Sequence, residues 1–460
     1  MAAVPTLFLG SDSETTMLYL YPFTFGYRSP DPFYYFFHIL PTQAGELAYR
    51  PINIMLFTVD YLVFGTNVFW YRLENLVIFL MVVFGMMFLA KKLLMNEWGI
   101  LATGLFLVLH PVHELMLIAI FSRTDFGAAL IVVVIANLLL TRYPHYKLDA
   151  PLIGAYIVFL IGIFWKESTF SLVILILFMD LTLGWSKGRW HSRALLHLPF
   201  YLMAISSIFL QIQMTHSLGN KLSLEDFWNS LKDPANTIRF FEPVWAIWSE
   251  QIQKAFLIKM DVLAGAIGFG LTLLLLLTGP GIKTRLSLLA MLILLGPYIL
   301  SYLSFMHGFV PSLGLALWAG FFTQSFMSKQ PRIIRFIPLL IFIPLLFMWI
   351  AIYTYYIPPA LKAQTSTEQA IKYLMRKYPH PPANSIFLIR NWHIPNESKK
   401  HLMKRISVIE ENLRLAYDRE DVSIYPLDTV KSQIDGSNQY YITTELPPYA
   451  QLGNEVESLH

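Results

Sequence analysis

Residues 110–125, HPVHELMLIAIFSRTD, carry two histidines, a glutamate, an arginine and an aspartate between two strongly apolar segments. Ionisable side chains beside apolar runs of bilayer length are costly to bury. They either line a water-filled cavity or a site, or form the polar seam of an ordinary turn between two spans. Composition alone leaves both readings open. What tilts the reading toward a site is that the other polar islands of the chain fall on the same side of the membrane.

The surroundings explain why a membrane enters the argument. Of 460 residues, 55% are hydrophobic and only 14% are charged, with a mean hydropathy of +0.52. A soluble chain of this size carries nearer ~25% charged residues. Long apolar runs recur from about residue 73 to 355. They do not alternate as the short strands of a β-barrel do, so the expected fold class is an all-α polytopic membrane protein. The net charge of +4 is small and its basic residues lie in loops, which points to topology rather than to nucleic-acid binding. Zero cysteines exclude disulfides, thiolate nucleophiles and thiolate metal sites.

Residues 1–9 lack a basic n-region and are too short to span, so no cleavable signal peptide is expected. An aromatic, proline-containing segment follows to residue 50, and residues 51–64 read as a short helix lying in the interface. Ten spanning candidates come next, at roughly 73–91, 98–110, 125–141, 150–165, 169–184, 195–213, 262–279, 286–304, 310–326 and 336–355. Lys91, Lys92, Arg142, Lys147, Lys187, Arg189, Arg193, Lys283, Arg285, Lys329, Arg332 and Arg335 occupy alternate loops, which are cytoplasmic by the positive-inside rule. The seam at 111–124, the turn at 166–168, the loop at 214–261 and the tail after 356 are then external. After Pro358 and Pro359 the composition turns polar. Residues 385–390, 422–425 and 440–443 read as strands, and 364–378 and 397–417 as helices. The expected organisation is an external N-terminal loop and interfacial helix (1–72), a transmembrane helical domain (73–356) and a small external α/β domain (357–460).

Each polar island has a functional and a plain reading. His110 and His113, spaced i, i+3 beside Glu114, have the spacing of a metal pair on a helix. Pro111 breaks the helix there, however, and HxxH needs a third ligand from elsewhere. Arg123 suits a phosphate through its planar fork, whereas Asp125 suits the positive N-terminus of the next span. Lys166 and Glu167 put a cation and a carboxylate in one tight external turn, at the mouth of a cavity or simply at the membrane surface. The loop at 214–261 mixes lysines and arginine with Trp and Phe, as a segment meeting lipid headgroups does. Asp12 and Glu14 are external carboxylates that suit a general base if a substrate pose fits.

Four blocks together resemble one family. Residues 49–76, YRPINIMLFTVDYLVFGTNVFWYRLENL, resemble the YRPL…D/NY..FG.NPF.YHL.N block of the C-type (GT-C) membrane glycosyltransferases. Residues 110–125 resemble its HPVHTEAVAWISGRAD block, residues 166–180 (KESTFSLVILILFMD) its KETAITLP…D block, and residues 309–314 (FVPSLG) its RYLYLPSLG block. The nearest branch is that of the transmembrane O-mannosyltransferases with tetratricopeptide repeats and their bacterial relatives without repeats, whose short external domain the tail resembles. The resemblance covers most of 49–326. It implies transfer of a sugar from a polyprenyl-phosphate donor to an acceptor protein or glycan outside a bacterial inner membrane, with inversion. It implies Asp12, in GSDSE, as the base with Glu14 next to it. Arg50, Arg123 and Lys166 would handle the donor phosphate, and His110, His113, Glu114, Asp125 and Glu167 would support them. A divalent metal is compatible with the family, but no residue here calls for one. The chain departs from the pattern at Ser13, at Leu115 and at Met306, and residues 1–9 are too short to be the span that precedes the family's base. Those departures keep a second reading open, a catalytically inactive membrane subunit that binds partners in a complex. A transporter fits less well, since no inverted repeat and few mid-span charges are visible.

Overall fold

The computed structural model describes residues 33–36, 49–65, 67–110, 113, 122–141, 148–182, 190–215, 241, 244, 261–279, 281–296, 308–327, 335–351, 354, 369–390, 410, 413–414, 417, 421–426 and 440–446. Among them are eleven α-helices of the bundle, a further helical run at 369–377 and one three-stranded sheet. The helices are α1 (Pro51–Phe64), α2 (Val68–Lys92), α3 (Glu97–Leu109), α4 (Arg123–Thr141), α5 (Ala150–Trp165) and α6 (Ser171–Thr182). They continue with α7 (Trp190–Thr215), α8 (Asp261–Thr278), α9 (Ile282–Leu295), α10 (Phe309–Met327) and α11 (Leu339–Ala351). Each of the ten apolar runs read from the sequence holds one of these helices over much of its described part, and 51–64 is α1. A 3₁₀ turn, Glu167–Phe170, joins α5 to α6.

Local chemistry sets the starts. Asn67, Asn96 and Asp149 each accept a hydrogen bond from the backbone two or three residues on, capping α2, α3 and α5, and Pro51 opens α1. Lys91 and Lys92 close α2, where a cation meets the negative end of the helix dipole. Two helices are long and apolar enough to cross a membrane, Phe69–Lys92 and Arg123–Thr141, and seven shorter helices are apolar.

Helix α4 is the axis of the bundle. Every side chain from Arg123 to Ala129 is buried, and below them Ile131, Val132, Val133, Ile135, Ala136 and Leu139 pack into the main core. Helix α10 exposes no side chain, whereas several other helices bury one face and expose another that is equally apolar. On α2 the outward stripe is Val77, Leu80, Met81, Phe84 and Phe88; on α11 it is Leu339, Leu340, Ile343, Leu346, Phe347 and Ile350. Helices that are apolar all round belong inside a large core or in a lipid environment.

Side-chain contacts separate two polar ends. At one end, Lys92 Nζ donates to Asn137 O (2.8 Å) and Thr141 Oγ1 (2.5 Å), and Lys283 Nζ to Leu93 O (3.3 Å). At the other lie Arg123, Asp125, Lys166, His113 and Ser312. Helix α4 joins the two ends over 19 residues, about 28 Å of axial rise and close to the ~30 Å of a bilayer's hydrocarbon.

The tail forms a separate core. Strands β1 (Ser385–Ile389), β2 (Ser423–Pro426) and β3 (Tyr440–Thr444) pair in parallel in the order β2-β1-β3. Residues 369–377 are helical and set Ala370, Ile371 and Leu374 against Phe387, Ile389 and Ile424. All three strands expected from the sequence are present. The expected helix at 397–417 falls mostly outside the described residues.

Helix contacts in the bundle are close enough to depend on glycine. A Cβ on Gly314 of α10 would lie 2.5 Å from the backbone nitrogen and 2.7 Å from the Cα of Met291 on α9. Backbone cannot step aside as a flexible side chain can, so Gly314→Ala is expected to cost about 1–3 kcal/mol. The check is the thermal midpoint of the detergent-purified protein, which should fall for Gly314→Ala. It should stay near wild type for Gly270→Ala, where an added Cβ meets nothing within 4 Å.

Candidate functional site

The site begins where α4 does. Arg123 has no exposed surface, and a guanidinium cannot shed its proton, so its burial requires carboxylates. Two provide for it. Arg123 Nη1 pairs with Asp60 Oδ2 of α1, and Nη2 pairs with Glu74 Oε2 of α2 at 2.8 Å. The guanidinium also lies over the ring of Phe57 at 4.5 Å, with Tyr71 5.9 Å away, an aromatic wall that favours a cation. The two acids differ in access: the Asp60 side chain is 9% exposed and that of Glu74 34%. One arm of the fork is therefore sealed in, and the other opens to the outside.

Two residues along α4, Asp125 takes the second cation. Lys166 Nζ donates to Asp125 Oδ1 at 2.5 Å, both side chains being almost wholly buried. Lys166 caps α5 in an extended conformation, which turns it away from the helix it ends and toward α4. The preceding residue fixes that direction. Trp165 Nε1 donates to Thr124 O at 3.0 Å, and its indole lies flat against Gly127, where any Cβ would overlap the ring. In these linked pairs three carboxylates face two cations, which leaves negative charge at the Glu74 side. Arg72, wholly buried on α2, adds a further cation nearby in the chain.

The third component is a histidine pair. His110 caps α3, buried, with Nε2 3.0 Å from Val244 O, and its ring stacks on His113 at 4.6 Å and 27°. His113 Nδ1 lies 2.5 Å from Leu107 O, a carbonyl that can only accept, so that nitrogen bears the proton. His113 Nε2 lies 2.8 Å from Ser312 Oγ, whose hydroxyl also reaches Phe309 O at 2.6 Å. Burial and the neighbouring imidazole hold the His113 pKa well below its ordinary value, so the ring is neutral, and the single Ser312 proton lies between two acceptors, Nε2 and Phe309 O. The rings of Phe79, Phe126 and Phe309 surround His113 and join it to the first turn of α4.

Of the residues singled out from sequence, Arg123, Asp125 and Lys166 meet in one cluster, and His110 and His113 stack beside it. Asp12, Glu14 and Glu114 lie outside the described residues. Glu167 opens the 3₁₀ turn after Lys166. Arg50 caps the start of α1, ten residues from Asp60 and so about 15 Å along the helix axis from the ion pairs. Among the described residues no group of three or more His, Cys, Asp or Glu side chains is arranged to hold a metal. Sequence reasoning missed Asp60, Glu74 and Ser312. Glu74 was the legible one, an acid inside the first turns of an apolar helix beside Arg72. Asp60 on the short α1 looks like any surface acid until Arg123 is placed.

Comparison with protein-family models, with curated proteins and with solved structures finds no match to this chain.

The Lys166–Asp125 pair gives a direct test of the cluster. Lys166→Met takes the ammonium from buried Asp125 and should cost about 3–5 kcal/mol, whereas Lys166→Met with Asp125→Leu removes both charges and should recover much of that loss. Thermal midpoints of the two single variants and the double complete the cycle. Additive losses would show that the pair does not interact.

Proposed function

We propose that the chain is a polytopic helical membrane protein of the GT-C kind, about ten spans and an interfacial α1, that transfers a sugar from a polyprenyl-phosphate donor to an acceptor outside the membrane. The observation that carries this reading is the convergence at one bundle end of stretches far apart in sequence: Asp60, Glu74, Arg123, Asp125, Lys166, His113 and Ser312. The outward Leu, Ile and Phe stripes on α2 and α11 support the membrane setting, because such surface in water is an association liability. Basic residues at the Lys92 end support a cytoplasmic side there and an external side for the Arg123 end and the tail domain.

The fork of Arg123 suggests how a donor phosphate is held. Buried Asp60 fixes one edge of the guanidinium, and a phosphate entering from the exposed side exchanges with Glu74 for the other. Lys166 adds positive charge from its seat on Asp125. In transfer, the bond from the anomeric carbon to the phosphate oxygen breaks and the phosphate leaves with the electron pair. The acceptor oxygen forms the new bond from the opposite face, and its proton passes to a carboxylate, Asp12 with Glu14 beside it. Charge developing on the phosphate is met by Arg123 and Lys166, while Arg50, about 15 Å away along α1, is too far to share that phosphate.

A second reading rests on one feature of the cluster. Both terminal nitrogens of Arg123 and the ammonium of Lys166 already have carboxylate partners. That suits a GT-C-like scaffold whose cluster is structural and whose tail domain binds a partner in a membrane complex. A single assay separates the two. Purified protein with a radiolabelled polyprenyl-phosphate sugar and its membrane acceptors should release polyprenyl phosphate, and Asp12→Asn should abolish release with expression and thermal midpoint unchanged. No turnover with any lipid-linked sugar, together with co-purification in a fixed stoichiometry, would establish the scaffold instead.

A further inference from the structure

A cavity of about 250 Å³ lies among α2, α4, α6, α9 and α10, toward the bundle end opposite Arg123. It falls just below the ~300–1,000 Å³ usual for ligand pockets, a slot for a chain rather than a chamber for a ring system. Residues Val132 to Leu140 of α4 border it, so it extends about 12 Å along the helix axis. Its walls are aliphatic and aromatic side chains apart from Ser287 and two lysines, Lys92 and Lys283, and no Asp or Glu is among its described lining residues.

The lysines are fixed rather than trailing in solvent. Lys92 Nζ donates to Asn137 O and Thr141 Oγ1, at the last turn of α4. Lys283 Nζ donates to Leu93 O, just past the end of α2, and lies 5.5 Å from the ring centre of Phe321. These partners are neutral, and among the described residues neither ammonium meets a carboxylate. Snorkelling alone places a lysine at a membrane surface, but it does not require an apolar slot behind the charge. Two uncompensated cations at the mouth of a hydrocarbon-lined slot have the complementary chemistry of an anionic amphiphile.

We propose that this cavity binds one hydrocarbon chain of an anionic phospholipid, with the lipid phosphate at Lys92 and Lys283. The cavity shares no side chain with the Arg123 cluster, so the assignment stands whether or not the chain is a transferase. The test is a titration of the full-length protein in detergent, read as its thermal midpoint. The additives are phosphatidylglycerol, phosphatidylcholine of the same acyl chains, and inorganic phosphate. Phosphatidylglycerol should raise the midpoint with saturation, and the other two should not. Lys92→Met with Lys283→Met should weaken phosphatidylglycerol about 30-fold, about 5-fold for each lysine. Because Lys92 also braces α4, a second variant that keeps both charges is needed. Ala290→Phe, which fills the slot, should abolish the response. Equal stabilisation by phosphatidylcholine, an equal effect of inorganic phosphate, or undiminished phosphatidylglycerol affinity in either folded variant would overturn the assignment.

Discussion

A guanidinium with no exposed surface governs the upper half of this bundle. Removing Arg123 from water costs several kcal/mol even after relaxation, and its charge cannot be relieved by losing a proton. Asp60 and Glu74 are therefore structural necessities as much as functional candidates, because they draw α1 and α2 onto the first turn of α4. Two residues on, Asp125 does the same for the end of α5 through Lys166. The arrangement of four helix ends follows from satisfying two buried cations. The histidine pair extends the network to α10 through Ser312.

The apolar parts of the bundle obey a different rule. Packing between α9 and α10 and between α3 and α10 is set by glycines that let backbones approach, Gly314 against Met291 and Gly99 against Gly320. Small residues at helix contacts are what association without a hydrophobic driving force requires, since lipid tails are as apolar as leucine. Polar contacts at the two ends and glycine contacts between them divide the work. The ends fix which helices meet, and the glycines fix how closely.

Much of this was legible before any coordinates. Apolar runs marked the bundle helices, Pro51 marked the start of α1, and residues 385–390, 422–425 and 440–443 read as strands. The two polar islands that hold Arg123, Asp125 and Lys166 were visible as ionisable groups beside apolar runs. Their pairing was not visible. Read on helix spacing, Arg123 and Asp125 point apart, and nothing local says that Asp125 belongs to Lys166, 41 residues later. Glu74 stood out as an acid within an apolar helix, whereas Asp60 carried no signal beyond its own charge, because what gives it meaning is a guanidinium from another helix. Ser312 sat in a recognisable FVPSLG block as one hydroxyl among apolar residues, and its role depends on His113, 199 residues earlier.

The central claim is that the Arg123 cluster and the Lys92–Lys283 end lie on opposite faces of a membrane, joined by α2 and α4. The natural chain has no cysteine, so single cysteines report cleanly. Asn67→Cys, exposed at the Arg123 end, and Leu148→Cys, exposed at the other, are placed in otherwise unaltered protein in intact cells. A membrane-impermeant maleimide should label position 67 from outside, and position 148 only after the membrane is opened. Labelling of both positions from the same side would contradict the account.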